Sequence, residues 1–418
     1  MFKGKKLLIL GGASIHCKVV EAAKALGVYT IVTDYLVDSP AKLMADEKWM
    51  LNIMDIDEIV ERCREEKIDG VLSVGIDPCQ LPYQKICEKL GVPCFGSEEQ
   101  FQRLTDKRAF KEFCIQNGVD VIPEYTEEDA ANGSIEYPVL IKPAMSRGSR
   151  GQTICYDSNG IEEAISFAKA ESGSGDVVIE KFMGGKQDFS MTYVVMDGEP
   201  VLVRTGDRYL GKAEDGLNKQ CVFSMSPSSH TDMYLANVDE KVKGFIRSLG
   251  LKNAPIFMQG FVDGETVRFY DPGLRFPGTE YEQLFYKATG TDLMKIMVCF
   301  ALTGVMDTRF GEIENGYKLC GCHAVQMFVP AGAGTIAAFD GLDAIEAHPN
   351  VVAVSQRYFV GETVPASGDV RQRICEIVIL VDETTTVSDM LSFVYSKLSV
   401  KDENGSDMLV SKVDPAWF

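Results

Sequence analysis

Short apolar runs alternate with amphipathic stretches through the first hundred or so residues, and this alternation constrains the fold more than any other feature of the chain. Lys6-Leu-Leu-Ile-Leu10 reads as a buried strand ending in Gly11-Gly12, and Ile15 to Leu26 as a helix stopped by Gly27. Val28 to Thr33 is a second strand, with Asp34 at its end. Asp55 to Lys67 is a helix, Gly70 to Val74 a strand, and Leu81 to Leu90 a helix stopped by Gly91. Repeated strand-helix-strand units predict a parallel, doubly wound sheet. The Gly11-Gly12 pair lacks the G-x-G-x-x-G spacing of a dinucleotide fingerprint, so it is a weak nucleotide signal.

The texture changes after Ser97. Glu98 to Leu104 and Lys107 to Gln116 read as helices, the second capped by Thr105-Asp106. Tyr137-Pro-Val-Leu-Ile-Lys-Pro143 is a strand that ends on Lys142, followed by the Gly-, Ser- and Arg-rich stretch Ala144 to Gly151. Further strands are expected at Gln152 to Tyr156 and Asp176 to Phe182, with a helix at Ile161 to Ala170. This order makes a compact α+β unit. Beyond it, strands fall near Phe189 to Val195 and Val201 to Thr205, a hairpin turns at Asp263-Gly264, and Thr291 to Leu302 is a helix apolar on all sides. From about Gly334 the chain is strand-rich.

The chain's 42 Lys plus Arg against 61 Asp plus Glu give a formal charge of -19 over 418 residues. Such an average field repels nucleic acid and anionic membranes, so neither is expected as a partner. A phosphate ligand would need a few local cations and backbone amides. The 12 cysteines lack paired spacing, no secretory segment is read at the start, and no apolar run is long enough to span a bilayer, so a reduced, cytoplasmic protein is expected. Cys320-Gly-Cys322-His323 is half of a zinc pattern without a second half and reads as strand residues. The four histidines stand isolated, which leaves no triad.

A phosphate site is nevertheless legible. Lys142, Arg147 and Arg150 flank and punctuate a glycine loop whose N–H groups can turn toward an anion. Lys142 ends an apolar strand, where a lysine is costly unless it meets an anion. Lys107 opens a helix, where the helix dipole disfavours a cation unless phosphate is near. As a set, Lys107, Lys142, the Gly-Ser-Arg loop and Val178-Ile-Glu-Lys-Phe-Met183 resemble the ATP-grasp superfamily, in the branch of carbamoyl-phosphate synthases, biotin carboxylases and purine-pathway ligases.

The resemblance implies three units: a Rossmann-like domain over residues 1–97, an ATP-grasp domain over 98–330 with a small α+β lid at about 119–183, and a strand-rich closing domain over 331–418. It implies that Lys107 and Lys142 hold ATP phosphates, with Ser146, Gly148, Ser149 and Gly151 in the loop that closes over them. Glu180, Lys181, Phe182 and Met183 match the segment that receives adenine, and Asp188 the acid that holds ribose. Mg²⁺ or Mn²⁺ is implied at Asp271 and Gln259, where the family usually carries two glutamates, and Gly273 stands where it carries asparagine. A two-residue turn at Asp263-Gly264 would put Gln259 and Asp271 on opposite faces, whereas a three-residue turn with a bulge would bring them together. Arg275 matches the arginine that steadies the acyl phosphate. Arg204, Asp207, Arg208 and Tyr209, placed just after a strand, offer either an acceptor-side arginine or a plain surface ion pair.

The implied activity is that of an ATP-grasp carbon–nitrogen ligase. A carboxylate takes the γ-phosphoryl group of ATP, and an amine or similar nucleophile displaces phosphate from the acyl phosphate. The expected partners are small-molecule carboxylates and amines, and related proteins often form homodimers. Three alternatives stand: a bicarbonate-using carboxylase or carbamoyl-phosphate-type enzyme, a nucleotide-binding protein with an impaired metal site, and a dinucleotide-dependent oxidoreductase resting on Gly11-Gly12 alone.

Overall fold

The computed structural model describes residues 1–143, 152–172, 175–217, 220–278 and 281–418. Its first sheet is parallel, in the order β3-β2-β1-β4, built from β1 (Lys6–Leu10), β2 (Tyr29–Thr33), β3 (Glu47–Trp49) and β4 (Gly70–Leu72). Leu7 to Leu10, Ile31, Val32, Val71 and Leu72 have no exposed surface, as a parallel sheet covered on both faces requires. The alternation therefore folds as read, with β3 as an additional short edge strand that periodicity did not mark.

A small antiparallel sheet follows, in the order β5-β8-β6-β7, from β5 (Glu124–Tyr125), β6 (Val139–Pro143), β7 (Thr153–Cys155) and β8 (Val177–Lys181). The helix Ile161–Glu171 closes it over a separate core of Val139, Ile141, Ile165 and Ile179.

The body of the molecule is an eight-stranded sheet in the order β13-β12-β9-β10-β11-β14-β18-β16. Its strands are β9 (Asp188–Met196), β10 (Glu199–Leu210), β11 (Cys221–Ser226), β12 (Ala254–Asp263), β13 (Thr266–Gly273), β14 (His323–Pro330), β16 (Val351–Gln356) and β18 (Arg373–Val381). The sheet runs through the 330/331 position, so the C-terminal strands extend it. The remaining strands, β15 (Gly334–Asp340), β17 (Thr363–Val364) and β19 (Ser399–Asp402), form a small sheet over the second large apolar core.

Side chains alternate across β9. Phe189, Met191 and Tyr193 enter the main core, and Asp188, Ser190 and Thr192 point the other way. At one end that polar face is covered by the helices Tyr281–Thr289 and Leu293–Thr303, with Ala324, Val378 and Leu380 in the same apolar cluster. β10 continues to Leu210 because β9 pairs one side of it and β11 the other. Arg204, Asp207, Arg208 and Tyr209 therefore lie within a strand, not in a segment after it. Cys320 sits in the left-handed turn Gly316–Gly321 and is exposed, and Cys322 is half-buried, so neither is a buried strand residue. Among the described residues no helix is long and apolar enough to cross a membrane.

Candidate active site

Directly opposed residues of neighbouring strands share a face, so the ladder itself assembles a polar floor. Asp271 of β13 faces Gln259 of β12, and Gln259 faces Ser190 of β9. Asp188 of β9 faces Arg208 of β10, Arg208 faces Ser224 of β11, and Ser224 faces Gln326 of β14. The hairpin is tight, with Asp263 paired to Thr266 around Gly264-Glu265, and it still brings Gln259 and Asp271 to one face. The register shifts after Gln259, leaving Tyr270 as an extra residue that returns Asp271 to its partner. Turn length alone was thus the wrong criterion, and the bulge decides the geometry.

Tyr270 also closes the floor chemically. Its hydroxyl lies 3.3 Å from Asp188 Oδ1 and 3.5 Å from Gln259 Oε1, and it accepts from Arg208 Nη1 at 3.2 Å. Arg208 Nη1 in turn donates to Asp188 Oδ2 at 2.7 Å. Asp188 is 4% exposed, and burial raises its pKa against the opposing pull of Arg208. The acid expected at a ribose is therefore already tied to Arg208 and Tyr270. Burial raises Asp271 as well, with the Lys107 charge opposing it.

These donors bear on the implied metal. Among the described residues no group of three or more His, Cys, Asp or Glu side chains could enclose an ion. Asp271 and the Gln259 carbonyl nevertheless present two oxygens on one face. That set fits Mg²⁺, which keeps waters and shares phosphate oxygens while using only one or two protein carboxylates.

Cations approach the floor from two sides. Lys142 Nζ, at the end of β6, sits 2.5 Å from Glu180 Oε1 on β8, its direct neighbour in the small sheet being Val178. Lys111, from the helix Lys107–Gln116, lies 3.5 Å from the other Glu180 oxygen and also pairs with Glu124. Sequence reasoning missed Lys111, whose role depends on contact between a helix and a distant strand. Lys181 pairs outward with Glu136 at 2.9 Å. The Phe182 N–H donates to the Pro138 carbonyl at 2.9 Å, so Phe182 could offer a purine its carbonyl but not its N–H. Met183 is 5% exposed. Ser146, Gly148, Ser149 and Gly151, with Arg147 and Arg150, lie outside the described residues.

Lys107 is exposed at the first turn of its helix, which Asp106 caps by accepting from Arg108 and Ala109. It lines a cavity of about 470 Å³ with Asp77, Gln80, Thr105 and Asp271. Arg275, just past β13, donates through Nε and Nη2 to the two Asp77 oxygens at 2.6 and 2.8 Å, and through Nη1 to the Phe276 carbonyl at 2.9 Å. Asp77 comes from the turn after β4, so it too was out of reach of local sequence patterns.

Of the other candidates, Arg204 lies on the floor's own face, whereas Asp207 and the Gly11-Gly12 pair lie apart from it. Arg204 is buried, bonded to Ser190 at 2.8 Å and Ser224 at 3.0 Å, with its guanidinium 5.2 Å from the Tyr281 ring. Asp207 faces the opposite way and is held by Ser228 and Ser229. At Gly11-Gly12, the Gly12 N–H donates to Asp34 Oδ2 at 2.8 Å, and a Cβ at Gly12 would stand 1.9 Å from Ser39 Oγ. That glycine pair is explained by packing.

Lys107, the Asp77–Arg275 pair and Asp271 thus meet at one cleft beside the polar floor that Asp271 shares with Gln259. Residues 102–305 match the family described as carbamoyl-phosphate synthase L chain, ATP binding domain. They form an ATP-grasp domain. The chain is 28% identical over 202 residues to the 2-oxoglutarate carboxylase small subunit of Hydrogenobacter thermophilus, covering 43% of this chain and 42% of that one. It is 24% identical over 273 residues to a formate-dependent phosphoribosylglycinamide formyltransferase of Prochlorococcus marinus, covering 63% and 68%. The match thus spans less than half of the first of these relatives. Likeness of fold extends over nearly the whole chain: a phosphoribosylglycinamide synthetase from Anaerococcus prevotii superposes with a TM-score of 0.79 at 17% identity, covering 96% of this chain and 100% of the other. An L-amino acid ligase from Bacillus licheniformis superposes at 0.75 and 18% identity, covering 97% and 100%.

Proposed function

We propose that the protein is an ATP-dependent ligase that activates a carboxylate as an acyl phosphate and couples it to an amine. The observation that carries this reading is the shared face of Asp271 and Gln259, with Lys107 on the same cavity as Asp271 and Arg275 at the end of the same strand. An oxygen of the substrate acid attacks the γ-phosphorus, and the bond to the β-bridging oxygen breaks as ADP leaves. The amine nitrogen then adds to the acyl carbon and phosphate departs.

The chain's own share is positioning and charge neutralisation. Lys142 trades Glu180 for phosphate oxygen, while Lys111 remains to keep Glu180 neutralised. Arg275 faces the developing phosphoryl charge in an orientation fixed by Asp77. Asp271 and Gln259 would hold Mg²⁺, which supplies charge compensation between the phosphates. The floor's pairing of Asp188 with Arg208 and Tyr270 keeps it preorganised.

The domain limits at residues 97 and 330, a cytoplasmic location and a homodimer belong to the same proposal. Twelve free cysteines support the location. A screen of ADP release over pairs of carboxylates and amines tests the function: ADP that appears only with both substrates supports it, and ADP that rises with bicarbonate alone favours a carboxylase. Gln259 in place of a carboxylate favours a second reading, an ATP-binding protein without turnover. In that case ATP binds tightly and no acceptor pair releases phosphate.

A further inference from the structure

The polar floor does not end at β14. Phe328, two residues beyond Gln326 on the same face, pairs with Glu376 of β18, and Glu376 pairs with Ser355 of β16. Two arginines converge there. Arg373 lies with its guanidinium 4.1 Å from the centre of the Phe328 ring, and its Nη1 is 3.6 Å from Glu376 Oε2. Arg357 Nη2 reaches the same oxygen at 3.5 Å. Both distances are at or beyond the limit of a hydrogen bond, so one carboxylate oxygen is shared loosely between two forks built to bind bidentately.

Gln326 adds an independent sign. It is 1% exposed, and its Nε2 donor has no hydrogen-bond partner. Unsatisfied buried donors are rare, because the lost hydration is not replaced. The Arg373 side chain is 14% exposed. Burial is the main reason its pKa is lowered, with Glu376 opposing and Arg357 and Arg208 adding smaller downward pulls. Two guanidinium groups share Glu376 here, and Arg204, bonded to Ser190 and Ser224 on the same floor, is a further cation beside them. Arg208 is matched by Asp188.

We propose that Arg357, Arg373 and Gln326 form a subsite for a substrate carboxylate that does not react. Two planar guanidinium forks and an amide donor match the planar, two-oxygen geometry of a carboxylate. Resting on the ligase reading, this makes one substrate a dicarboxylic acid or an amino acid, with the reacting group toward Arg208 and the second carboxylate toward β18.

The test is calorimetric titration of the full chain with succinate and with butyrate, in the presence and absence of Mg-ADP. Succinate should bind at least tenfold more tightly than butyrate. Arg373→Gln and Arg357→Gln should each weaken succinate at least tenfold and leave ADP affinity within twofold, and Arg373→Lys should recover part of the loss. Equal affinities for the two acids, absence of succinate binding, or variants that bind succinate like the wild type would overturn the subsite. So would inorganic phosphate that binds in preference to succinate with the same sensitivity to the variants. Failure of ADP to bind would refute the ligase reading, while the ADP-free titration would still judge the subsite.

Discussion

Asp77 and Arg275 are 198 positions apart in the chain and meet as a two-point ion pair, at 2.6 and 2.8 Å. The pair joins the turn after the first parallel sheet to the end of the strand that carries Asp271. The Arg275 side chain is 9% exposed and that of Asp77 is 60% exposed. The two sides of the pair therefore behave differently when broken. Exposed carboxylates contribute little to stability by themselves, but a buried guanidinium left without its partner is costly.

Asp77→Asn is expected to lower turnover at least tenfold with ATP affinity unchanged, because Arg275 loses its orientation and not its charge. Asp77→Glu should recover part of the rate. Steady-state kinetics beside nucleotide titration separates the two quantities, and a fall in ATP affinity equal to the fall in rate would contradict the positioning role.

Lys142→Ala should weaken ATP binding at least tenfold, since a hydrogen bond to a charged group contributes about 1.5–3 kcal/mol. Lys111→Ala should weaken it less, by leaving Glu180 in competition for Lys142. Equilibrium titration with a fluorescent ATP analogue reads both effects. Wild-type affinity in Lys142→Ala would remove the lysine from the phosphate site.

Asp271 carries a raised pKa because burial disfavours its charge. Its neutral form is favoured in the fold, so its stabilising share is present at acid pH and lost as pH rises through the folded value. Asp271→Asn should therefore raise Tm at pH 7, with the difference shrinking on acidification, and should lower Mg²⁺-dependent turnover at least a hundredfold. Melting curves across pH and a Mg²⁺ titration of the rate check the two halves.

His16 behaves oppositely. Burial lowers its pKa to about 4, so its neutral ring is stabilising above the unfolded value and that stability is lost as pH falls from about 6.5 toward 4. The loss is roughly 3 kcal/mol over that window by the proton-linkage relation. Denaturant melts of the wild type and His16→Leu should show the slope in the former and its flattening in the latter.

Local periodicity carried the parallel sheet and the small α+β unit, and it singled out Lys142 at a strand end and Lys107 at a helix start, where a lysine is unusual. Glu180, Asp271 and Arg275 were reached only through the resemblance in motif order. What periodicity could not carry were relationships set by pairing. The Tyr270 bulge, which places Asp271 against Gln259, arises from a register shift with no turn residue to announce it. Asp77 and Lys111 act on residues far along the chain, and Arg357 and Arg373 meet only because β16 and β18 are neighbours. Arg208 was misplaced for the same reason: two flanking strands extend β10 beyond its apolar stretch.

Oxygen transfer from the substrate acid decides whether an acyl phosphate forms. With a carboxylate substrate from the ADP-release screen labelled with ¹⁸O in its carboxyl group, each inorganic phosphate released should carry one ¹⁸O, in a one-to-one ratio with ADP. Unlabelled phosphate, or AMP with pyrophosphate in place of ADP, would contradict acyl-phosphate formation.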